Sequence, residues 1–315
     1  MALLLMMNAL VEVARAELPA RVTRVWKAAD GREVKADLLE FSSQEIKIKR
    51  VKDFEIVKIP LTALSETDQK YVRELVRERD LDASLKSGPY AASVTGAFVK
   101  VISKEGLNFQ LFGNPKWDGK KRYPLLISLH GSGQSGSDNQ AQMGGVTGIF
   151  TDAAHQAQNP CFMIAPQCPD SAIGWNKEVA DHLLVLIDDL CEKLPIDVQR
   201  LYLTGYSMGG FGCFSLATKY PTKFAAVVPL AGGGDPKNAE ILKQTPLWAF
   251  HGDKDEMVNV ERTRNVMKAI TDAGGTVAKY DELAGQGHGI PGQVYGRSDL
   301  AAWIFAQHRT PTKQE

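Results

Sequence analysis

The chain has 315 residues, enough for about two domains. Apolar residues make up 44% and charged residues 23%, and the 37 basic residues balance the 37 acidic ones. A zero net charge argues against nucleic acid as a partner, which needs a basic face against its phosphates. No uninterrupted apolar run reaches the ~18 residues expected of a membrane-spanning helix.

The N-terminus has the grammar of an export signal. Ala2–Val11 is a largely apolar run, and Ala14-Arg15-Ala16 resembles a cleavage site. A signal peptide over residues 1–16 and a secreted or periplasmic protein are the expectation. The alternative is an N-terminal helix that stays with the protein, because no Lys or Arg precedes the run.

Residues 20–86 read as a small β-rich domain. Asp30-Gly31 is a turn signal, Val34, Ala36 and Leu38 alternate with polar positions, and Glu45-Ile46-Lys47-Ile48-Lys49 alternates strictly. Phe54 to Ile59 is a further strand, ended by Pro60. Such alternation marks a half-buried antiparallel sheet. Ser65-Glu66-Thr67-Asp68 is a capping box for a helix reaching about Leu85, and Ser87-Gly88-Pro89 punctuates the boundary. Together with Arg24-Val25-Trp26, Ile59-Pro60-Leu61 and Leu64 to Gln69, this stretch resembles the SH3-like homology domain 1 of endocytic adaptor proteins. A packing or spacer role is the expectation, since none of the catalytic candidates falls here.

Residues 90–309 follow a different pattern. Tyr123–Leu129, Cys161–Ala165, Arg200–Thr204, Phe224–Val228 and Leu247–Phe250 are continuous apolar strands, the mark of burial on both faces. Helical periodicity runs through Val179, Leu183, Leu186, Ile187 and Leu190, and again through Val260, Val266, Met267 and Ile270. Strand–helix alternation of this kind predicts a doubly wound α/β domain with a mostly parallel sheet.

The chemistry centres on Gly205-Tyr206-Ser207-Met208-Gly209, a G-x-S-x-G on a strand-to-helix turn. Ser207 is the expected nucleophile. A hydroxyl needs a base, and among the six histidines His288 lies in a Gly-rich loop, Gly285-Gln286-Gly287-His288-Gly289, able to reach over the sheet end. His130 and His251 precede glycines at strand ends, where structural roles are expected. The orienting acid should lie between serine and histidine. Asp255 is the first choice and Asp253 the second, with Asp253 expected to brace the turn. For the oxyanion hole, the backbone N–H of Met208 is one donor, and Ser132, or failing that Gly133, is the other.

Gly131-x-Gly133-x-x-Gly136 matches a dinucleotide fingerprint, but no clear helix follows it and the next strand ends Ala165-Pro166-Gln167 without a ribose-binding acid. No cofactor is expected. Nor is a metal, since Cys161, Cys168, Cys191 and Cys213 form no ligand pattern; buried thiols or a single disulfide account for them.

From Tyr90 to Gln307 these motifs resemble the α/β-hydrolase fold, most closely the predicted-peptidase and phospholipase/carboxylesterase-like group related to feruloyl esterases and polyester depolymerases. The carrying stretches are Leu129-His130-Gly131-Ser132-Gly133, Ala165 to Pro169 with Gly174-Trp175, Asp197 to Gly210, Pro246 to Asp255, and Gly287-His288. The resemblance implies a Ser207, Asp255, His288 triad, with Trp175 and Gln134 on the substrate side. The implied activity is cleavage of small or polymeric carboxylic esters. A serine peptidase and a binding protein on a relic hydrolase fold are the alternatives. Little sequence separates the Phe224–Val228 and Leu247–Phe250 strands, so an open cleft without a large lid is expected.

Overall fold

The structure, a computed structural model, describes residues 22–309. The expected signal segment therefore lies outside the described residues. The chain divides into two compact units, with the division between Asp80 and Leu81.

In the first unit, β1 (Thr23–Lys27), β2 (Glu33–Phe41), β3 (Glu45–Arg50) and β4 (Ile56–Pro60) pair in sequence order as an antiparallel sheet. The predicted alternation holds, because Ile46 and Ile48 are buried while their Lys neighbours lie on the other face. Trp26, Leu38, Leu61, Leu64 and Val72 complete this core. Helix α1 (Glu66–Ser87) starts where expected. Ser65 Oγ accepts the Asp68 N–H at 3.3 Å, half of the predicted capping box. The other half is spent elsewhere. The buried Asp68 carboxylate accepts from the Lys27 N–H at 2.7 Å and pairs with Arg24 at 2.5 Å, tying helix to strand. Arg24 in turn lies over the Tyr71 ring, 4.0 Å from its centroid. The division between units falls inside α1, six residues earlier than the Ser-Gly-Pro boundary suggested for the end of the helix. Leu85, beyond it, packs on the core of the second unit.

The second unit is built on an eight-stranded sheet. A hairpin comes first, β5 (Val99–Ile102) and β6 (Asn108–Phe112), followed by β7 (Tyr123–Leu129). Two short helices, α2 (Gly145–Thr151) and α3 (Ala153–Gln158), lead to β8 (Phe162–Pro166), α4 (Lys177–Lys193) and β9 (Ile196–Tyr206). Next come α5 (Met208–Lys219), β10 (Ala226–Leu230), α6 (Ala239–Leu242) and β11 (Leu247–Gly252). The unit ends with α7 (Glu261–Asp272), β12 (Ala278–Leu283), α8 (Pro291–Tyr295) and α9 (Ser298–Ala306). The strand order is β12-β11-β10-β9-β7-β8-β6-β5. All pairings from β12 to β8 are parallel, and β6 and β5 join antiparallel at one edge.

Both faces of this sheet are covered, which is why its strands read as unbroken apolar runs. On β7, Leu125, Ile127 and Leu129 face the core made with α4, α5 and α7. Leu126 faces the opposite core, made with α2, α8 and α9. Chain order runs outward from β7 in both directions, through β8 on one side and β9 on the other. Such a reversal opens a crevice at the carboxyl ends of the two central strands, where ligands bind in open α/β sheets. Both the Gly131–Gly136 loop and Ser207 lie at those ends.

All four cysteines are buried, and Cys161, Cys168 and Cys213 are free thiols. Among the described residues no cluster of side chains has the makeup of a metal site, and no helix is long and apolar enough to cross a membrane.

Candidate active site

Ser207 sits between β9 and α5 with φ 57° and ψ −116°. This left-handed backbone is strained for a residue with a side chain. The turn is held by a hydrogen bond from the Ser207 N–H to the Leu230 carbonyl at 2.9 Å. It is possible because Gly205, Gly209 and Gly210 lack side chains. A Cβ on Gly205 would collide with the Gly209 carbonyl, one on Gly209 with the Leu129 carbonyl, and one on Gly210 with the Leu230 carbonyl. All three obstacles are backbone and cannot swing away. Gly209→Ala should therefore cost about 1–3 kcal/mol of stability, measured by urea denaturation. Gly133→Ala, whose added methyl meets nothing within 4 Å, should cost almost nothing. Equal costs for the two would show that the elbow yields freely.

The loop after β12 brings His288 to the serine. His288 Nε2 lies 3.0 Å from Ser207 Oγ, and His288 Nδ1 lies 2.6 Å from Asp255 Oδ2. The approach depends on Gly252, where a Cβ would meet the Gln286 and Gly287 carbonyls. Gly285 turns the loop with φ +73°. Asp253, expected to brace its own turn, reaches the histidine loop instead: its carboxylate accepts the Gly285 N–H at 2.6 Å. Tyr206, whose role was not anticipated, lays its ring 4.8 Å from the His288 ring.

Asp255 has no exposed side-chain surface. Burial by itself would push its carboxyl up. The Val258 N–H, His288 and the Met257 N–H outweigh that and hold it below the ordinary carboxylate range. The two backbone donors are each 2.9 Å from Oδ1. The carboxylate is thus ionised at neutral pH and fixed in orientation, leaving Oδ2 for His288.

On the other side of the serine lies the loop after β7. Gly131 lies against the elbow, where a Cβ would stand in ordinary contact, 3.5 Å from Ser207 and Tyr206. The Gly131 N–H is committed to Gln134 Oε1 at 3.2 Å. Ser132 follows, exposed, at the crevice. Met208 opens α5, so its N–H belongs to the first turn, where no intrahelical acceptor exists.

Trp175 and Gln134, expected on the substrate side, both help to hold the loop. The Trp175 side chain is only 1% exposed, and its indole N–H donates to the His130 carbonyl at 3.1 Å. It lies under the loop as a support. Gln134 caps the loop through Gly131, and its Nε2 donates to the Ala141 carbonyl at 3.1 Å. His130 completes the bracing. Its Nε2 accepts the Cys168 N–H at 2.9 Å, so Nδ1 carries the hydrogen given to the Gly131 carbonyl at 2.7 Å. Burial pushes this imidazole toward its neutral form.

Residues 171–290 match the model of the dienelactone hydrolase family. Among curated proteins, a probable feruloyl esterase C of Aspergillus terreus is 31% identical over 37% of this chain and 43% of its own length. The bifunctional acetylxylan esterase/xylanase XynS20E of Neocallimastix patriciarum is 25% identical over 47% of this chain and 22% of its own. This chain thus spans less than half the length of either relative. A thermostable esterase of known structure is 30% identical, with a TM-score of 0.63 over 68% of this chain and 63% of that one. The eight-stranded unit has an esterase-like α/β-hydrolase fold.

Proposed function

We propose that this protein is a serine carboxylesterase that works through an acyl-enzyme. The observation that carries the reading is the hydrogen-bonded line Ser207 Oγ, His288, Asp255 at the mouth of the β7/β9 crevice. His288 takes the hydroxyl proton at Nε2 as Oγ attacks the ester carbonyl. Asp255 holds Nδ1–H and stabilises the imidazolium that forms. The oxyanion faces the Met208 and Ser132 N–H groups, which are fixed in advance by the elbow and the braced loop. His288 then returns its proton to the leaving alcohol, and water repeats the sequence on the acyl-serine.

The likeness to feruloyl and acetylxylan esterases supports an ester as substrate, small or polymeric. The apolar run with Ala14-Arg15-Ala16 supports export. The four-stranded unit, with Trp26 at its core, is read as an SH3-like accessory module outside the chemistry. On this reading residues 1–16 are a signal, 20–86 the module with its helix, and 90–309 the catalytic part.

One experiment tests activity and division together. A p-nitrophenyl ester series of increasing acyl length, run beside a peptide panel, is applied to the full chain and to a chain starting at Leu81. That start keeps Leu85, which packs on the larger core. Short esters should be cleaved at equal rates by both, and peptides far more slowly. Peptide cleavage matching ester cleavage would favour a peptidase. Collapse of the short-ester rate in a folded truncated chain would place the small unit in the active site.

A further inference from the structure

A second histidine stands behind Asp255. His251, at the end of β11, is fully buried and lies outside the mechanism above. Its Nε2 is 2.9 Å from the Val258 carbonyl and 3.2 Å from Asp255 Oδ2. Both of these groups only accept, since Asp255 is ionised. Nε2 therefore carries a hydrogen, given to the Val258 carbonyl, with Asp255 Oδ2 at ion-pair distance. Its Nδ1 is 2.7 Å from Thr263 Oγ1, and Thr263 Oγ1 is 2.9 Å from the Gly232 carbonyl. Helix α7 thus fixes the far edge of the ring.

This completes the surroundings of the acid. Oδ1 accepts the Met257 and Val258 N–H groups and Oδ2 accepts His288 Nδ1–H, while His251 Nε2, bonded to the Val258 carbonyl, stands 3.2 Å from Oδ2. We propose that His251 is a positioning residue for ester cleavage: its Nε2–H holds the Val258 carbonyl and so fixes the turn whose Val258 N–H anchors Asp255, keeping Oδ2 in line with His288 Nδ1. The inference rests on the reading of Ser207, His288 and Asp255 as nucleophile, base and acid. His251 touches neither substrate nor serine and acts through Val258 and Asp255. A lost donor leaves the Val258 carbonyl unsatisfied in a buried site, and the turn that orients Asp255 loosens.

The test uses the full chain and five variants. His251→Leu removes the donor and fills the space, while His251→Gln offers an N–H near the same point. Thr263→Val removes the anchor at the other edge and keeps the histidine. Val266→Ala perturbs the same helix without touching the network, and Ser207→Ala reports on the nucleophile. His251→Leu should lower kcat on the order of 10- to 100-fold, the cost of leaving a buried acceptor beside the acid unsatisfied. KM should stay within about threefold, because the interaction serves the chemical step. His251→Gln should recover most of the loss, and Thr263→Val should lose several-fold. In proton NMR, the downfield resonance of the His288–Asp255 hydrogen bond should shift in His251→Leu and Thr263→Val. It should stay in place in Val266→Ala and nearly so in His251→Gln.

The proposal is overturned if His251→Leu loses no more kcat than Val266→Ala at matched Tm, or if glutamine is no better than leucine. Should His251→Leu fail to fold, Thr263→Val decides: parental kcat with an unshifted resonance overturns the proposal. An inactive Ser207→Ala beside an unaffected His251→Leu refutes this inference alone. An active Ser207→Ala refutes the nucleophile reading and this inference with it.

Discussion

Ser207→Ala should abolish ester hydrolysis and leave the fold intact. Among the described residues the side chain hydrogen-bonds His288 Nε2 alone, at 3.0 Å, and the strained turn is held by backbone. Alanine suffers the same strain at φ 57° as serine, so stability should change little. What disappears is the covalent step. The oxyanion donors and substrate binding remain, so the rate loss should be on the order of 10⁴ or more rather than total. Purified protein is assayed on a short p-nitrophenyl ester, with circular dichroism as the folding check. A variant retaining half the parental rate would remove Ser207 from the chemistry.

Asp255→Asn should be far more damaging than Asp253→Asn. Asparagine keeps the shape and can still accept the Met257 and Val258 N–H groups through its oxygen. Its nitrogen then faces His288 as a donor where an acceptor is required. The imidazole must turn to the other tautomer, presenting Nε2–H to a serine whose proton it should take. The expected loss is on the order of 10⁴ in kcat/KM. Asp253 accepts the Gly285 N–H, which an asparagine oxygen can do as well, so the loss should stay within about tenfold. Equal losses, or the reverse order, would move the acid to Asp253.

The sequence made these residues visible because their constraints are local. A glycine-flanked serine at the end of an apolar strand has one mechanical reading, and a histidine among glycines has another. The central strands were legible for the same reason: burial on both faces leaves no room for polar positions. The β5/β6 hairpin escaped that logic. Its strands are short and antiparallel, and β6 carries a buried glutamine, Gln110, whose Nε2 donates to the Asn139 carbonyl across the fold. Trp175 and Gln134 show the same limit in the site. Both belong to the right neighbourhood, but whether a side chain lies above or beneath a loop depends on His130 and Cys168, which tie the loop down from behind. His251 was read as structural from its strand-end position. Its tie to Asp255 emerges only once Asp255 and Thr263 close around it. The unit boundary fell inside α1 for a related reason, since helical periodicity continues through Leu85 while its packing partner changes.

The central claim is a covalent acyl-serine, and trapping it is the most direct measurement. The full chain is treated with a p-nitrophenyl alkylphosphonate, an ester mimic that leaves a stable adduct on an activated serine, and the adduct is mapped by proteolysis and mass spectrometry. The account predicts a single modification on the peptide carrying Ser207, with ester hydrolysis lost in step, and no modification in Ser207→Ala. An adduct on another residue, or hydrolysis that survives complete labelling of Ser207, would contradict it.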